Sequence, residues 1–270
     1  MDIAPHLKPI AITLALMPML AVVVLAQSVP VRHREGTVHG FLVIHTLDGK
    51  QIATGDLTQT VAGDRVTAHT VYHFKDGSID DDLVVYSERD VFRLISEHHV
   101  QKGPSFPQPT DVSINAGSGQ VKARYIDHGK EQMTTEHVDL PPDLANGLIL
   151  TVLKNLDAKA GETKLTLLAA TPKPKLVRIA ITPEGEETFT AAGARHKAIR
   201  YVVKLELSGV AGVVAPIIGK RAPEVRVWIL RGPAPSFLKS EGPFYEGGPV
   251  WRTELTTAMW PESPDSHPVR

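Results

Sequence analysis

Two histidines of this chain have a spacing that suits a shared metal ion. His69 and His73 lie four residues apart in a stretch that alternates apolar and polar residues, so both side chains fall on one face of a strand. Neutral imidazole is a common zinc ligand. Arg65 and Lys75 share that face, however, and two cations oppose the binding of a divalent ion. We therefore predict a solvent-facing surface without a metal here.

A second histidine-rich stretch, Glu97-His98-His99, resembles a ligand cluster in the linear sequence. On a strand, adjacent side chains point to opposite faces. The alternation places His98 with the apolar Phe92 and Leu94, and it directs Glu97 and His99 away from them. We predict a core histidine whose hydrogen bonds are satisfied. The alternative is a ligand, or a hydrolase whose site is assembled around His98 from separated residues.

The remaining motifs point away from catalysis. Asp80, Asp81 and Asp82 lack the ligand spacing and closing glutamate of a calcium loop, so we predict solvated hairpin charge. The chain has no G-x-S-x-G, P-loop or H-E-x-x-H pattern. It has no cysteine, which excludes thiol catalysis, cysteine-bound metals and disulfides. We predict a non-enzymatic protein with no catalytic residues, no metal and no cofactor.

The first segment predicts export. Residues 10–26 are apolar almost throughout, follow His6 and Lys8, and end in small or aliphatic residues before Gln27. This is the layout of a signal peptide, and we predict cleavage after Ala26 and a periplasmic or secreted protein. A retained membrane anchor is the alternative, but the run is shorter than about 20 apolar residues and contains Pro18.

Composition and the position of a proline-rich segment are the basis of the domain prediction. The net charge is -1, which is a poor match for nucleic acid because that binding rests on clustered cations. We predict one β-rich domain over residues 27–260 and a loose tail over 261–270. The prolines of residues 171–175 favour an extended connection, which offers an alternative sub-division at that point.

Alternation at period two dominates the rest of the chain. Ile199, Tyr201, Val203 and Leu205 share one face of a predicted strand, and residues 66–74 repeat the pattern. Short glycine-bearing turns such as Asp76-Gly77 favour hairpins over long crossovers. We therefore predict a mainly β fold, a large antiparallel sheet of ten to twelve strands that curls into a half-barrel or barrel.

One predicted helix interrupts the strands. Pro141-Pro142-Asp143 suits a helix start, and Leu144, Leu148, Val152 and Leu156 follow four residues apart. Only Asn146, Thr151, Lys154 and Asn155 form a polar strip. A helix this apolar is expected to be buried, and the concave face of the curled sheet is the simplest place for it.

The C-terminal third carries a family resemblance. A Trp-bearing strand at residues 225–230, a proline-rich turn at 232–235 and a closing strand at 247–255 resemble lipoprotein-carrier-like (LolA/LolB-like) periplasmic β proteins and their uncharacterised relatives. The resemblance implies a lipid-like apolar ligand inside a half-barrel. Residues 209–219 form an apolar segment that suits a lid or a core loop. We predict that Leu148, Val152, Tyr201, Val203 and Val213 line or gate the ligand site.

Three functions follow, in decreasing order of preference. The first is a non-enzymatic envelope protein that binds an apolar ligand or acts in envelope biogenesis. The second is a structural or assembly module that presents an exposed strand edge to a protein partner. The third is the hydrolase with a dispersed site around His98.

Overall fold

The computed structural model describes residues 28–159, 161–170, 173–191, 194–206 and 224–256. The predicted signal peptide, the apolar segment 209–219 with Val213, and the predicted tail 261–270 lie outside these residues. The described residues form fourteen strands and one short helix. The strands are β1 (Val38–Thr46), β2 (Gln51–Ala62), β3 (Arg65–Phe74), β4 (Ile79–Glu88), β5 (Phe92–Lys102), β6 (Thr110–Asn115), β7 (Gln120–Asp127), β8 (Lys130–His137), β9 (Thr163–Ala169), β10 (Lys175–Ala191), β11 (Ala194–Glu206), β12 (Glu224–Leu230), β13 (Ser236–Pro243) and β14 (Val250–Thr256), and the helix is α1 (Ile149–Asn155).

All fourteen strands belong to one antiparallel sheet. Its order is β8-β7-β6-β5-β4-β3-β2-β1-β14-β13-β12-β11-β10-β9, so strands adjacent in the sheet are also neighbours in sequence, except for β1 and β14. The predicted antiparallel meander is confirmed, with more strands than the ten to twelve expected. Residues 171–175 join two paired neighbours, because β9 and β10 form a hairpin with Lys175 opposite Ala169.

The sheet curls around its helical connection. The side-chain amide nitrogen of Asn146 donates to the Leu168 carbonyl of β9 at 3.1 Å. The next residue, Gly147, lies so close to Val84 of β4 that an added Cβ would approach a Val84 methyl to 2.3 Å. In a flat sheet β4 and β9, nine positions apart, would be separated by about 43 Å. Since β8 and β9 do not pair, the sheet is an open, curled half-barrel, as predicted.

The helix is shorter than predicted. It begins at Ile149, although the sequence pattern predicted a start at Pro141-Pro142-Asp143. Gly147 has a φ of 64°, outside the right-handed helical region. The residues before it bond to β9 instead, and the Ala145 N–H donates to the Thr166 carbonyl at 2.8 Å. Bonds to the sheet edge therefore replace the first turns of the predicted helix.

The buried position of the helix is confirmed. Leu148, Val152 and Leu153 are at most 3% exposed and belong to one core cluster with side chains of both halves of the sheet. We call the face of the sheet that contacts this cluster the inner face, and the opposite one the outer face. A second, aromatic cluster is centred on Phe74, Phe106 and Trp251.

The predicted polar strip of the helix is wrong at two positions. Asn155 is 1% exposed and Thr151 is 8% exposed. Asn155 Oδ1 accepts hydrogen bonds from the backbone N–H groups of Arg32 at 2.8 Å and His33 at 2.7 Å. Thr151 lies 3.3 Å from the hydroxyl of Tyr86. These polar side chains are buried because they bind the N-terminal segment and the sheet to the helix.

Candidate functional site

Four of the five predicted ligand-lining residues lie in the packed core. Leu148 and Tyr201 are 1% exposed, Val152 is 3% exposed and Val203 is 8% exposed. Val213 lies outside the described residues. The cavity that touches Leu148 and Val152 measures about 10 Å³, close to the minimum for a single water molecule. In this conformation the cavity has no room for an acyl chain.

Beyond the apolar core, the inner face carries a group of titratable side chains that the sequence analysis did not bring together. Asp82 faces His99 and Asp80 faces Gln101 across β4 and β5, while Glu97 lies two residues before His99. We call Asp80, Asp82, Glu97 and His99 the acid–histidine cluster. Asp80 and Glu97 are buried, and the His99 side chain is 32% exposed.

Hydrogen bonds connect this cluster to the far half of the sheet. The Nε2 atom of His99 lies 3.4 Å from Asp80 Oδ2. The Gln101 amide nitrogen donates both to Asp80 Oδ2 at 2.5 Å and to the Phe244 carbonyl at 3.0 Å. Phe244 follows β13 and packs against the aromatic cluster. The acid–histidine cluster therefore ties β4 and β5 to the connection between β13 and β14.

Burial and mutual charge shift the pKa values of the cluster. Burial raises the pKa of Asp82 to about 6 and that of Glu97 to about 7, the Asp82 charge adding to the effect at Glu97. Burial alone would lower the pKa of His99. The hydrogen bond to Asp80 and the surrounding carboxylates outweigh it and raise the pKa of His99 to about 9.

The cluster places a partly exposed histidine among acidic side chains. The raised pKa of His99 favours its protonated form at neutral pH, which opposes a role as a general base. Burial also raises the pKa of the neighbouring Tyr72. The Tyr72 ring requires glycine at residue 55, because a Cβ there would lie 2.5 Å from Tyr72 Cδ1. Among the described residues, no group of three or more His, Asp or Glu side chains could hold a metal ion.

The predicted orientation of Glu97, His98 and His99 is wrong. Glu97 and His99 point to the inner face, and the His98 side chain is 50% exposed on the outer face. A β-bulge is the cause: Val85 pairs with Ser96 and Tyr86 with Leu94, so Ile95 is an extra residue that inverts the alternation after it. The sequence alternation does not reveal this inversion, because it continues without a break through Phe92, Leu94, Ser96 and His98.

The other charged predictions divide between the two faces. His73 is exposed, and His69 is half-exposed with Nε2 2.9 Å from Asp81 Oδ1, so the solvent-facing interpretation of both histidines is confirmed. The solvated-charge interpretation of the aspartate run holds for Asp81 and fails for Asp80, which is 5% exposed.

One end of the sheet is covered by the chain itself. Residues 143–146 lie along the free edge of β9, where Leu168 N–H donates to Asn146 Oδ1 at 2.7 Å. The buried Asp143 carboxylate holds this segment in place, accepting from the Thr166 hydroxyl at 3.0 Å and from Arg178 at 3.3 Å. The backbone groups of this edge are thus largely satisfied within the molecule.

The other end of the sheet is open. Within the described part of the chain, no segment lies against the outer edge of β8, and its only strand neighbour is β7. Seven of its eight residues are exposed, and Met133 has 71% of its surface in solvent. An unpaired edge presents a row of backbone N–H and C=O groups that can pair with another strand. The sequence pattern missed β8 because it lacks apolar alternation.

The chain is similar to a solved structure, although not to a known family by sequence. No protein-family model matches the chain, and no curated protein is similar to it. A solved structure from Brucella abortus, described as a β-barrel-like protein of a domain of unknown function, DUF1849, is similar with a TM-score of 0.42 and 8% sequence identity. The match covers 82% of this chain and 98% of that one.

Proposed function

We propose that this protein is an exported, non-enzymatic assembly module of the cell envelope, to which an extended segment of a partner protein adds as a strand beside β8. The observation that carries the proposal is the difference between the two ends of the sheet. The chain covers β9 with residues 143–146 and leaves β8 uncovered within the described residues. Strand addition uses such an edge, with backbone hydrogen bonds giving affinity and side chains giving specificity.

The side chains of β8 define the partner strand. Lys130 and Glu136 lie on the inner face, and Glu131 and Met133 lie on the outer face next to Ile126 and Arg124 of β7. Charges on an edge strand discourage indiscriminate pairing. We therefore expect the partner segment to place opposite charges beside Lys130 and Glu136 and an apolar side chain beside Met133.

The proposed export rests on the predicted signal peptide, and the described N-terminus is compatible with it. Val29 is 5% exposed in the core, and Val31 N–H donates to the Asp90 carbonyl at 2.9 Å. Cleavage after Ala26 would therefore leave the docked segment that contains Val29 and Val31 intact.

Binding of an apolar, lipid-like ligand is the other role that the sequence predicts. It requires the core around Leu148 and Val152 to open, because the cavity beside them is only about 10 Å³. Native mass spectrometry of protein purified from an envelope fraction measures this directly. A stoichiometric lipid adduct would favour the apolar-ligand role over strand addition.

The strand-addition proposal is tested by site-specific photo-crosslinking in cells. A photoreactive residue at Met133 is expected to give one adduct of discrete mass, since this side chain lies on the open edge. The matched control is Leu47, which is 53% exposed in a turn away from both sheet edges. Hydrogen exchange of the isolated adduct is expected to slow at the amides of β8.

The outcome of that comparison decides the proposal. Equal adduct yields at positions 133 and 47, or an adduct that leaves exchange in β8 unchanged, would contradict strand addition. The variant Met133→Asp is expected to lower the yield of the native complex at least severalfold, whereas Leu47→Asp keeps it, because only the first places a charge at the interface.

A further inference from the structure

The outer face carries a polar groove that the proposed strand addition does not use. Six side chains form two neighbouring rows across β5, β6 and β7, because His98 pairs with Ser113 and Ser113 with Lys122, while Ser96 pairs with Asn115 and Asn115 with Gln120. Side chains at paired positions of an antiparallel sheet point to the same face. We call this six-residue surface the outer groove.

Side-chain size gives the groove its depth. Two short serines, Ser96 and Ser113, lie beside longer His98 and Lys122, and the resulting depression measures about 380 Å³. This lies within the range of roughly 300–1,000 Å³ that small-molecule sites occupy. Leu83, 37% exposed and paired with His98, adds an apolar patch at the margin.

The polar groups of the groove favour an anion. Lys122 is exposed and lines the groove, and among the described residues it forms no ion pair with a carboxylate. His98 Nε2 lies 2.9 Å from Asp111 Oδ1, which can only accept a hydrogen bond, so Nδ1 of the neutral imidazole is an acceptor suited to a ligand hydroxyl. The Glu97 carboxylate, which neighbours the groove in sequence, is buried on the inner face.

We propose that the outer groove binds a small anionic molecule rich in hydroxyl groups, of the class of sugar acids and sugar phosphates. Lys122 contacts the anionic group through a charge-assisted hydrogen bond, the stronger kind, and His98 Nδ1 accepts from a ligand hydroxyl. The hydroxyls of Ser96 and Ser113 and the amides of Asn115 and Gln120 bond the ligand hydroxyls. Leu83 packs against the apolar face of the sugar ring.

The test is an amide NMR titration of the purified, isotope-labelled protein with four probes: glucuronate, glucose 6-phosphate, glucose and inorganic phosphate. We expect saturable shifts at residues 96–98, 113–115 and 120–122 with at least one of the two anionic sugars. Glucose and inorganic phosphate are expected to bind at least about tenfold more weakly, because each lacks one half of the contacts. The anionic sugar that binds more tightly identifies carboxylate or phosphate as the preferred group.

Two matched lysine variants distinguish binding in the outer groove from nonspecific electrostatic attraction to the protein surface. Lys122→Gln is expected to weaken binding of the anionic sugar about tenfold. The control Lys102→Gln is expected to leave binding unchanged, because Lys102 lies at the end of β5, outside the groove. The proposal is overturned if neither anionic sugar gives saturable shifts in the groove. Equal binding by wild type and Lys122→Gln, or equal binding of glucose and the anionic sugars, overturns it as well.

Discussion

His99 lies among three acidic side chains on the inner face, which favour its protonated form, and only part of its surface is in contact with solvent. This arrangement couples the protonation of a few side chains to the stability of the whole sheet. The coupling matters because Gln101, which bonds Asp80, also bonds the Phe244 carbonyl between β13 and β14. A change of charge in the cluster therefore affects β4 and β5 and also the connection between β13 and β14, in the other half of the sheet.

We expect the free energy of unfolding to fall as pH rises from 5 to 8. The pKa values of Asp82 and Glu97 rise from 3.8 and 4.5 to about 6 and about 7, so the folded state keeps protons that the unfolded chain releases, and this stabilisation is lost as pH rises through those values. The pKa of His99 rises from 6.5 to about 9, so its stabilisation is full below 6.5 and lost as pH rises through 9. Urea unfolding at pH 5 and at pH 8 measures the difference, which is expected to be several kcal/mol, about 1.4 kcal/mol per unit of pKa shift expressed between these pH values.

Two variants show whether the cluster causes that slope. Glu97→Gln and His99→Gln should each flatten the pH dependence, because each removes a proton-binding group of the cluster. His73→Gln is the control, since His73 is exposed on the outer face. An unchanged slope in both cluster variants would show that other groups set the pH dependence.

Among the elements, the connection from β8 to the helix shows what sequence patterns can and cannot predict. The four-residue spacing of Leu144, Leu148, Val152 and Leu156 predicted a buried apolar segment, and these side chains do face the core. The pattern did not reveal that residues 143–146 bond to β9, because backbone pairing with a distant strand leaves no local signature. The same limit hid the bulge at Ile95, and with it the acid–histidine cluster.

We expect Gly147→Ala to destabilise the protein by about 2–4 kcal/mol. Gly147 combines a φ of 64° with a close approach to Val84, whose methyl would lie 2.3 Å from the new Cβ. Gly49→Ala is the matched control: its φ is 91°, but nothing lies within 4 Å of the added Cβ. Chemical denaturation of both variants should show the smaller loss for Gly49→Ala; equal losses would mean that the contact with Val84 is unimportant.

On the scale of the whole molecule, alternation and turn glycines were enough to predict the curled antiparallel sheet, because each hairpin is specified locally. The pairing of β1 with β14 and the choice of which edge stays open depend on contacts between residues far apart in sequence, and neither was predictable. Four of the five predicted ligand-lining residues belong to the core for a related reason: apolar patterning identifies burial but does not distinguish a filled interior from a hollow one.

The N-terminal segment gives a prediction at this scale. Asn155→Ala removes the acceptor of the Arg32 and His33 N–H groups and should lower the free energy of unfolding by about 1–3 kcal/mol. Thermal unfolding measures the loss, and Asn146→Ala, which loses its bonds to β9, shows whether the two ends of the connection contribute equally. A neutral Asn155→Ala would mean that the N-terminal segment is held mainly by Val29 and the Lys154–Glu35 ion pair.

The central pairing of β1 with β14 has a consequence for how the molecule assembles. During synthesis or translocation from the N-terminus, β1 is the first and its partner β14 the last of the described strands to emerge. The two meanders, β1–β8 and β9–β14, can each form their hairpins independently. The pairing of β1 with β14 can form only after β14 has emerged. We therefore expect a chain cut between β8 and α1 to give two fragments that associate with each other, and the pairing of β1 with β14 reports their association.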